Sequence, residues 1–137
     1  MAGYSGTPLP KKLGIKPQFK IALPGIPSEV KAELAAAVAE CTVVSRPSPL
    51  LDFVLLFATS QTELKKSFAT WAKTLAPAGM LWVCWPKKTS GMKTDLDENR
   101  LREIGLAGGL VDVKVCAVNE VWSGLKFVIR VKDRGSR

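Results

Sequence analysis

Two short stretches carry most of the chemistry in this chain: Trp85-Pro86-Lys87-Lys88 and Trp122-Ser123-Gly124-Leu125-Lys126. An indole face stacks on a planar ring or a cation, and adjacent ammonium groups hold a phosphate or a carboxylate. The pairing therefore suits an anionic small molecule. Gly25 and Ser60, each at the expected end of a strand, complete a candidate ligand-binding set of Gly25, Ser60, Trp85, Lys87, Lys88, Trp122, Ser123 and Lys126. The plainer alternative is that the tryptophans cap the core and the lysines are solvated. No catalytic residue, metal site or cofactor is expected. The sequence has no histidine, which removes the usual general base and the commonest metal ligand. Cys41, Cys84 and Cys116 stand far apart in apolar runs and read as buried, reduced thiols.

The net charge of +8 is unevenly distributed. Residues 1–20 hold four lysines and no acid, and residues 61–93 hold six lysines against Glu63 alone. Basic blocks of this kind point to an anionic partner. A non-catalytic binding domain for a small anion or an acidic protein surface is the first functional expectation. A nucleic-acid-binding protein is the second, although no helix-turn-helix, zinc or RNA-recognition signature is present. A residual transferase using Lys87 or Lys88 against a phosphate-bearing substrate is the third.

The elements that must position these residues follow from periodicity. Gly79–Lys88 reads as a buried central strand that delivers the basic cluster to one edge of a sheet. Gln18–Leu23, Thr42–Ser45 and Leu51–Ala58 read as further strands, the last covered on both faces. Between them, Val30, Leu34 and Val38 mark a helix over Glu29–Ala39, with Ser28 as its cap. Ser60 and Glu63 form a capping box, followed by the stripe Leu64, Phe68, Trp71 and Leu75. Thr94 and Asp97 look like a second box before a helix with Leu101 and Ile104 facing inward. Leu110–Val118 and Leu125–Lys132, joined by Asn119–Gly124, can only pair antiparallel. Asp112 and Lys114 are expected to form a weak surface pair on this last unit. A lead-in over residues 1–17 contains one helical turn, Leu9–Leu13, and residues 133–137 are expected to fray.

Strand–helix alternation implies an α/β fold, a mostly parallel, three-layer Rossmann-like sheet of about six strands ending in an antiparallel hairpin. The 137 residues fit a single domain spanning 1–137. No apolar run reaches the ~18 residues that cross a bilayer, and Met1–Thr7 lacks the order of a secretory signal. A cytoplasmic protein with no membrane partner is expected.

This order of elements resembles the class I methyltransferase arrangement shortened by one strand–helix unit. The likeness implies the strand order two-one-three-four-six-five and a ligand above the carboxyl ends of the strands. It does not extend to the family's cofactor residues. The turn after the first strand has one glycine, Gly25, between two prolines, and Ser45 and Arg46 stand where the family places an acid for the ribose. No S-adenosylmethionine binding is therefore expected. A further likeness covers nearly the whole chain. Tyr4-Ser5-Gly6-Thr7-Pro8-Leu9 with Lys12-Leu13-Gly14-Ile15 resembles the signature of a bacterial domain-of-unknown-function family. So do Trp85-Pro86-Lys87-Lys88, Val111–Val118 and Glu120–Lys126. This likeness implies the same degenerate methyltransferase-like fold and brings no activity.

Overall fold

The computed structural model of the chain describes residues 6–136. Its six strands form one sheet: β1 (Lys20–Ala22), β2 (Thr42–Val43), β3 (Leu51–Phe57), β4 (Leu75–Pro86), β5 (Leu110–Ala117) and β6 (Trp122–Ile129). The sheet order is β2-β1-β3-β4-β6-β5, the order implied by the methyltransferase likeness. The β1, β2, β3 and β4 pairings are parallel, and β6 pairs antiparallel with both β4 and β5.

The helices are α1 (Leu9–Leu13), α2 (Ser28–Val38), α3 (Gln61–Ala72) and α4 (Glu98–Ala107). Helices α1 and α2 cover one face of the sheet, burying Leu9, Leu13, Val30 and Leu34 against Ile21, Phe53, Leu55, Phe57, Trp82 and Cys84. Helices α3 and α4 cover the other, burying Leu64, Phe68, Trp71, Leu101 and Ile104 against Val54, Leu56, Leu81, Val83, Trp85 and Phe127. Alternate residues of β3 and β4 thus feed two cores, which is why both strands are apolar apart from Asp52.

Several local expectations are met. Ser60 Oγ accepts from Glu63 N at 3.2 Å and starts α3, and Gly14 ends α1 in the left-handed conformation with φ +87°. The cysteines are free, but only Cys84 is buried as expected; Cys41 and Cys116 are partly exposed. Others are corrected. Thr94 is no helix cap: its hydroxyl donates to Thr59 O at 2.6 Å, while Asp97 alone caps α4 through Arg100 N at 2.8 Å. Strand β4 begins at Leu75, within the stretch read as the end of α3. Leu75 pairs with Leu51 and Met80 with Phe53, so an irregularity absorbs Pro77 and Gly79. Asp112 and Lys114 do not pair. The register shifts between them, setting Asp112 opposite Phe127 and Lys114 opposite Lys126. They consequently face opposite sides of the sheet, and Asp112 accepts from Arg102 Nε of α4 at 2.9 Å. Residues Val131–Ser136 form a 3-10 turn.

Candidate functional site

Trp85 and Lys87 lie at the carboxyl end of β4, and Ser123 lies opposite Trp85 at the start of β6. Together with Pro86, Lys88, Leu96, Asp97, Glu98 and Asn99 they line a cavity of about 370 Å³. Four of the eight candidate residues, Trp85, Lys87, Lys88 and Ser123, thus share one site. The first turn of α4 supplies its far wall, and its N-terminal N–H groups already face the Asp97 carboxylate. Both acids of this wall have partners within α4. Asp97 accepts from Arg100 N at 2.8 Å, and Glu98 holds Arg102 at 2.7 Å. Among the described residues, Lys87 and Lys88 have no ion-pair partner. The Lys87 backbone N–H donates to Val121 O at 2.7 Å, which fixes the loop from which both side chains project.

The structure separates the other four. Trp122 pairs with Pro86, but its ring packs edge-on to Phe57 at 5.1 Å on the α1–α2 side, whereas Trp85 packs on the α3–α4 side. The two indoles are only 7% and 8% exposed and lie in different cores, so they form no common stacking platform. Lys126 pairs with Trp82, four residues from the strand end. Antiparallel β6 carries it roughly 13 Å away from the edge, contrary to the expectation that it returns there. Ser60 spends its hydroxyl on capping α3, and Asp95 Oδ1 accepts from Gln61 N at 2.8 Å. The anion-friendly end of α3 thus already holds a carboxylate of the same chain. Gly25 sits two strands from β4, in a turn with φ +75°.

That turn is closed. Phe57 N donates to Pro24 O at 3.1 Å, and a Cβ at Gly25 would lie 3.1 Å from Phe57 O. Beside it, a cavity of about 270 Å³ is lined by Leu23, Pro24, Ile26, Lys31, Val43, Val44, Ser45 and Trp71. The sequence did not point to this cavity, nor to the Asp97–Asn99 wall of the larger site, because Asp97 and Trp71 read as cap and core residues, which they also are. Tyr4 and Ser5 of the lead-in lie outside the described residues. Gly6 and Thr7, with Lys12 and Val118, line a separate cavity of about 220 Å³.

Sheet order, the two helical layers and the terminal hairpin define the class I S-adenosylmethionine-dependent methyltransferase fold. Solved structures agree. A methyltransferase of this kind from Aquifex aeolicus is 12% identical, with a TM-score of 0.61 over 85% of this chain and 85% of that one. A TehB-like methyltransferase from Corynebacterium glutamicum is 9% identical, with a TM-score of 0.58 over 94% of this chain and 91% of that one. An O-methyltransferase from neocarzinostatin biosynthesis, solved with S-adenosylmethionine and a naphthoic acid, is 12% identical. Its TM-score is 0.63 over 93% of this chain and 51% of that one. The likeness at these identities is one of fold. No family model and no curated protein sequence matches the chain.

The fold implies S-adenosylmethionine, and the residues present do not fit it in the family's manner. The turn after β1 is packed against Phe57 rather than open, and Val44, Ser45 and Arg46 follow β2 where an acid is required. The adjacent cavity of about 270 Å³ falls below the ~300–1,000 Å³ of typical ligand pockets.

Proposed function

We propose that this chain is a reduced methyltransferase-fold domain that holds an anionic small molecule in the cavity between β4 and α4. The observation carrying this reading is the pairing of Lys87 and Lys88 with the N-terminal turn of α4 around one cavity of about 370 Å³. Trp85 and Leu96 give it an apolar floor, Ser123 a hydroxyl, and the two lysines positive charge opposite Asp97 and Glu98. A phosphate or carboxylate attached to a small apolar or planar body fits that combination. Two roles are open to such a molecule: the fold of the structures described above suits a substrate of a residual group transfer, whereas the closed turn after β1 disfavours S-adenosylmethionine as the donor and so favours a ligand that is merely retained.

The same proposal assigns the chain to the bacterial domain-of-unknown-function family that Tyr4–Leu9, Trp85–Lys88 and Glu120–Lys126 resemble. A cytoplasmic location belongs to it too. Among the described residues no helix is long and apolar enough to cross a membrane.

The experiment is a thermal-shift screen of phosphorylated and carboxylated metabolites on the wild type and the Lys87→Ala/Lys88→Ala variant. The wild type should gain melting temperature with at least one class. The variant should lose that gain while its own melting point stays within the ~0.5 kcal/mol range of surface substitutions. Equal protection of both proteins removes the site. Calorimetric titration with S-adenosylmethionine separates the two roles. The closed β1 turn leads us to expect no heat at millimolar cofactor. A dissociation constant near micromolar, about −8 kcal/mol, would make methyl transfer the retained activity.

A further inference from the structure

The open face of the β5–β6 hairpin carries a second group of cations, separate from the cavity at β4. Antiparallel register sets Lys114 opposite Lys126 and Lys126 opposite Trp82. Directly paired residues project to the same side of a sheet. That side is the one occupied by α1, since Trp82 Nε1 donates to Leu13 O at 2.9 Å. Lys12 of α1 arrives there too. Its Nζ donates to Ala117 O at 2.9 Å, and Lys114 Nζ reaches Lys12 O at 3.4 Å. Cys116 stands in the same group: burial pushes its thiol up, and Lys12 and Lys114 oppose that push.

Like charges directly opposite each other destabilise a strand pair. Among the described residues neither Lys114 nor Lys126 has a carboxylate partner. The irregularity between Asp112 and Lys114 sends Asp112, the acid of that strand, through to Arg102 on the opposite face. Lys126 is half-buried. Burial, and then Lys114, pull its ammonium below the usual lysine range. A half-buried lysine facing an exposed one on the same side of the sheet is a position that an anion bridging the two would stabilise.

We propose that this hairpin face is an anion-binding site that takes a phosphate group between Lys114 and Lys126, with Lys12 beside them. The inference goes beyond the function proposed above and does not depend on it. The two sites lie on opposite faces of the sheet, Trp85 and Ser123 facing α3 and α4, and Lys126 facing α1. Phosphate of this kind comes either as a free oligophosphate or as the backbone of a nucleic acid.

The test is amide-resolved NMR of the full chain at low salt, titrated with tripolyphosphate and, separately, with a short single-stranded RNA. Saturable shifts at Lys114, Cys116 and Lys126 are expected. The Lys114→Gln/Lys126→Gln variant should bind at least about tenfold more weakly, and Lys87→Ala/Lys88→Ala should leave the hairpin shifts in place. With nucleic acid as the source, the RNA binds the tighter of the two. Its affinity then falls with salt at a log–log slope of roughly −2, three lysines at about −0.7 each. With a free oligophosphate as the source, tripolyphosphate binds tighter. Absence of hairpin shifts with both ligands, or unchanged affinity in the glutamine variant, overturns the proposal. Removing like charges should leave the variant's melting point equal or higher. Should it fail to fold, the wild-type shifts alone decide.

Discussion

At the scale of single residues, Gly105 shows how tightly the α3–α4 side is closed. It lies inside α4, where glycine is ordinarily about 1 kcal/mol worse than alanine. A Cβ built there would stand 2.0 Å from Phe127 Cε1 and 2.5 Å from Cζ. The Phe127 ring cannot simply swing aside, because Phe68 holds it edge-on at 5.3 Å. Overpacking of a closed core costs about 1–3 kcal/mol or more, so it outweighs the gain in helix propensity. A contact this short belongs at the upper end of that cost, so Gly105→Ala should lower stability by a net ~2 kcal/mol in urea unfolding. A stabilised variant would mean that α4 rides farther from β6 than it does here. Lys126 offers the opposite lesson. Its position is set by strand register rather than by a local signal. Nothing in Trp122–Lys126 as a string says that Trp122 faces one core, that Ser123 faces a cavity, or that Lys126 lies four residues inside the sheet.

At the scale of elements, α3 was the most legible part of the chain. Its capping serine and its Leu64, Phe68 and Trp71 stripe are local signals, and each has the place expected of it. Phe68→Ala should cost ~3–5 kcal/mol, measured as a shift of the guanidinium midpoint at constant m-value. A midpoint that hardly moves would contradict the burial of that ring. The end of α3 was less legible. Pro77 and Gly79 read as a loop, because proline and glycine are the strongest local punctuators. Long-range pairing of Leu75 with Leu51 nevertheless draws that stretch into β4. The hairpin turn was misjudged for a similar reason. Asn119 Oδ1 accepts from both Val121 N and Trp122 N at 2.8 Å. That side chain tightens the connection and starts β6 at Trp122, inside the expected loop. The candidate site was half legible on the same grounds. Strand ends can be read from the sequence, which brought Trp85, Lys87, Lys88 and Ser123 together. Sheet faces and the inward travel of an antiparallel strand cannot, which dispersed Trp122 and Lys126.

At the scale of the whole molecule, the absence of histidine makes pH a clean probe of the fold. No side chain has an ordinary pKa between about 5 and 8 when histidine is missing. Stability should therefore stay nearly flat across neutral pH. The alkaline side behaves differently. Burial, with a smaller contribution from Cys116, pushes the Cys84 thiol well above its usual range, and burial raises Cys41 and Cys116 as well. In the unfolded chain a thiol gives up its proton near ~8.5, while folded Cys84 keeps it. Above that pH the unfolded state binds fewer protons, so stability falls as pH rises, by at most about 1.4 kcal/mol per pH unit for one such group. Lys126 works in the other direction. Its lowered pKa means the folded state carries a penalty at neutral pH that fades as pH rises toward ~10.4, the unfolded lysine value. The thiol begins to act first and is the more completely buried group, so it should dominate just above pH ~8.5. Urea unfolding from neutral to alkaline pH should show a plateau followed by a decline. Cys84→Ala, whatever its cost at neutral pH, should flatten that decline, and Lys126→Met should steepen it. A decline of unchanged slope in Cys84→Ala would show that the β4 thiol is not what ties folding to alkaline pH.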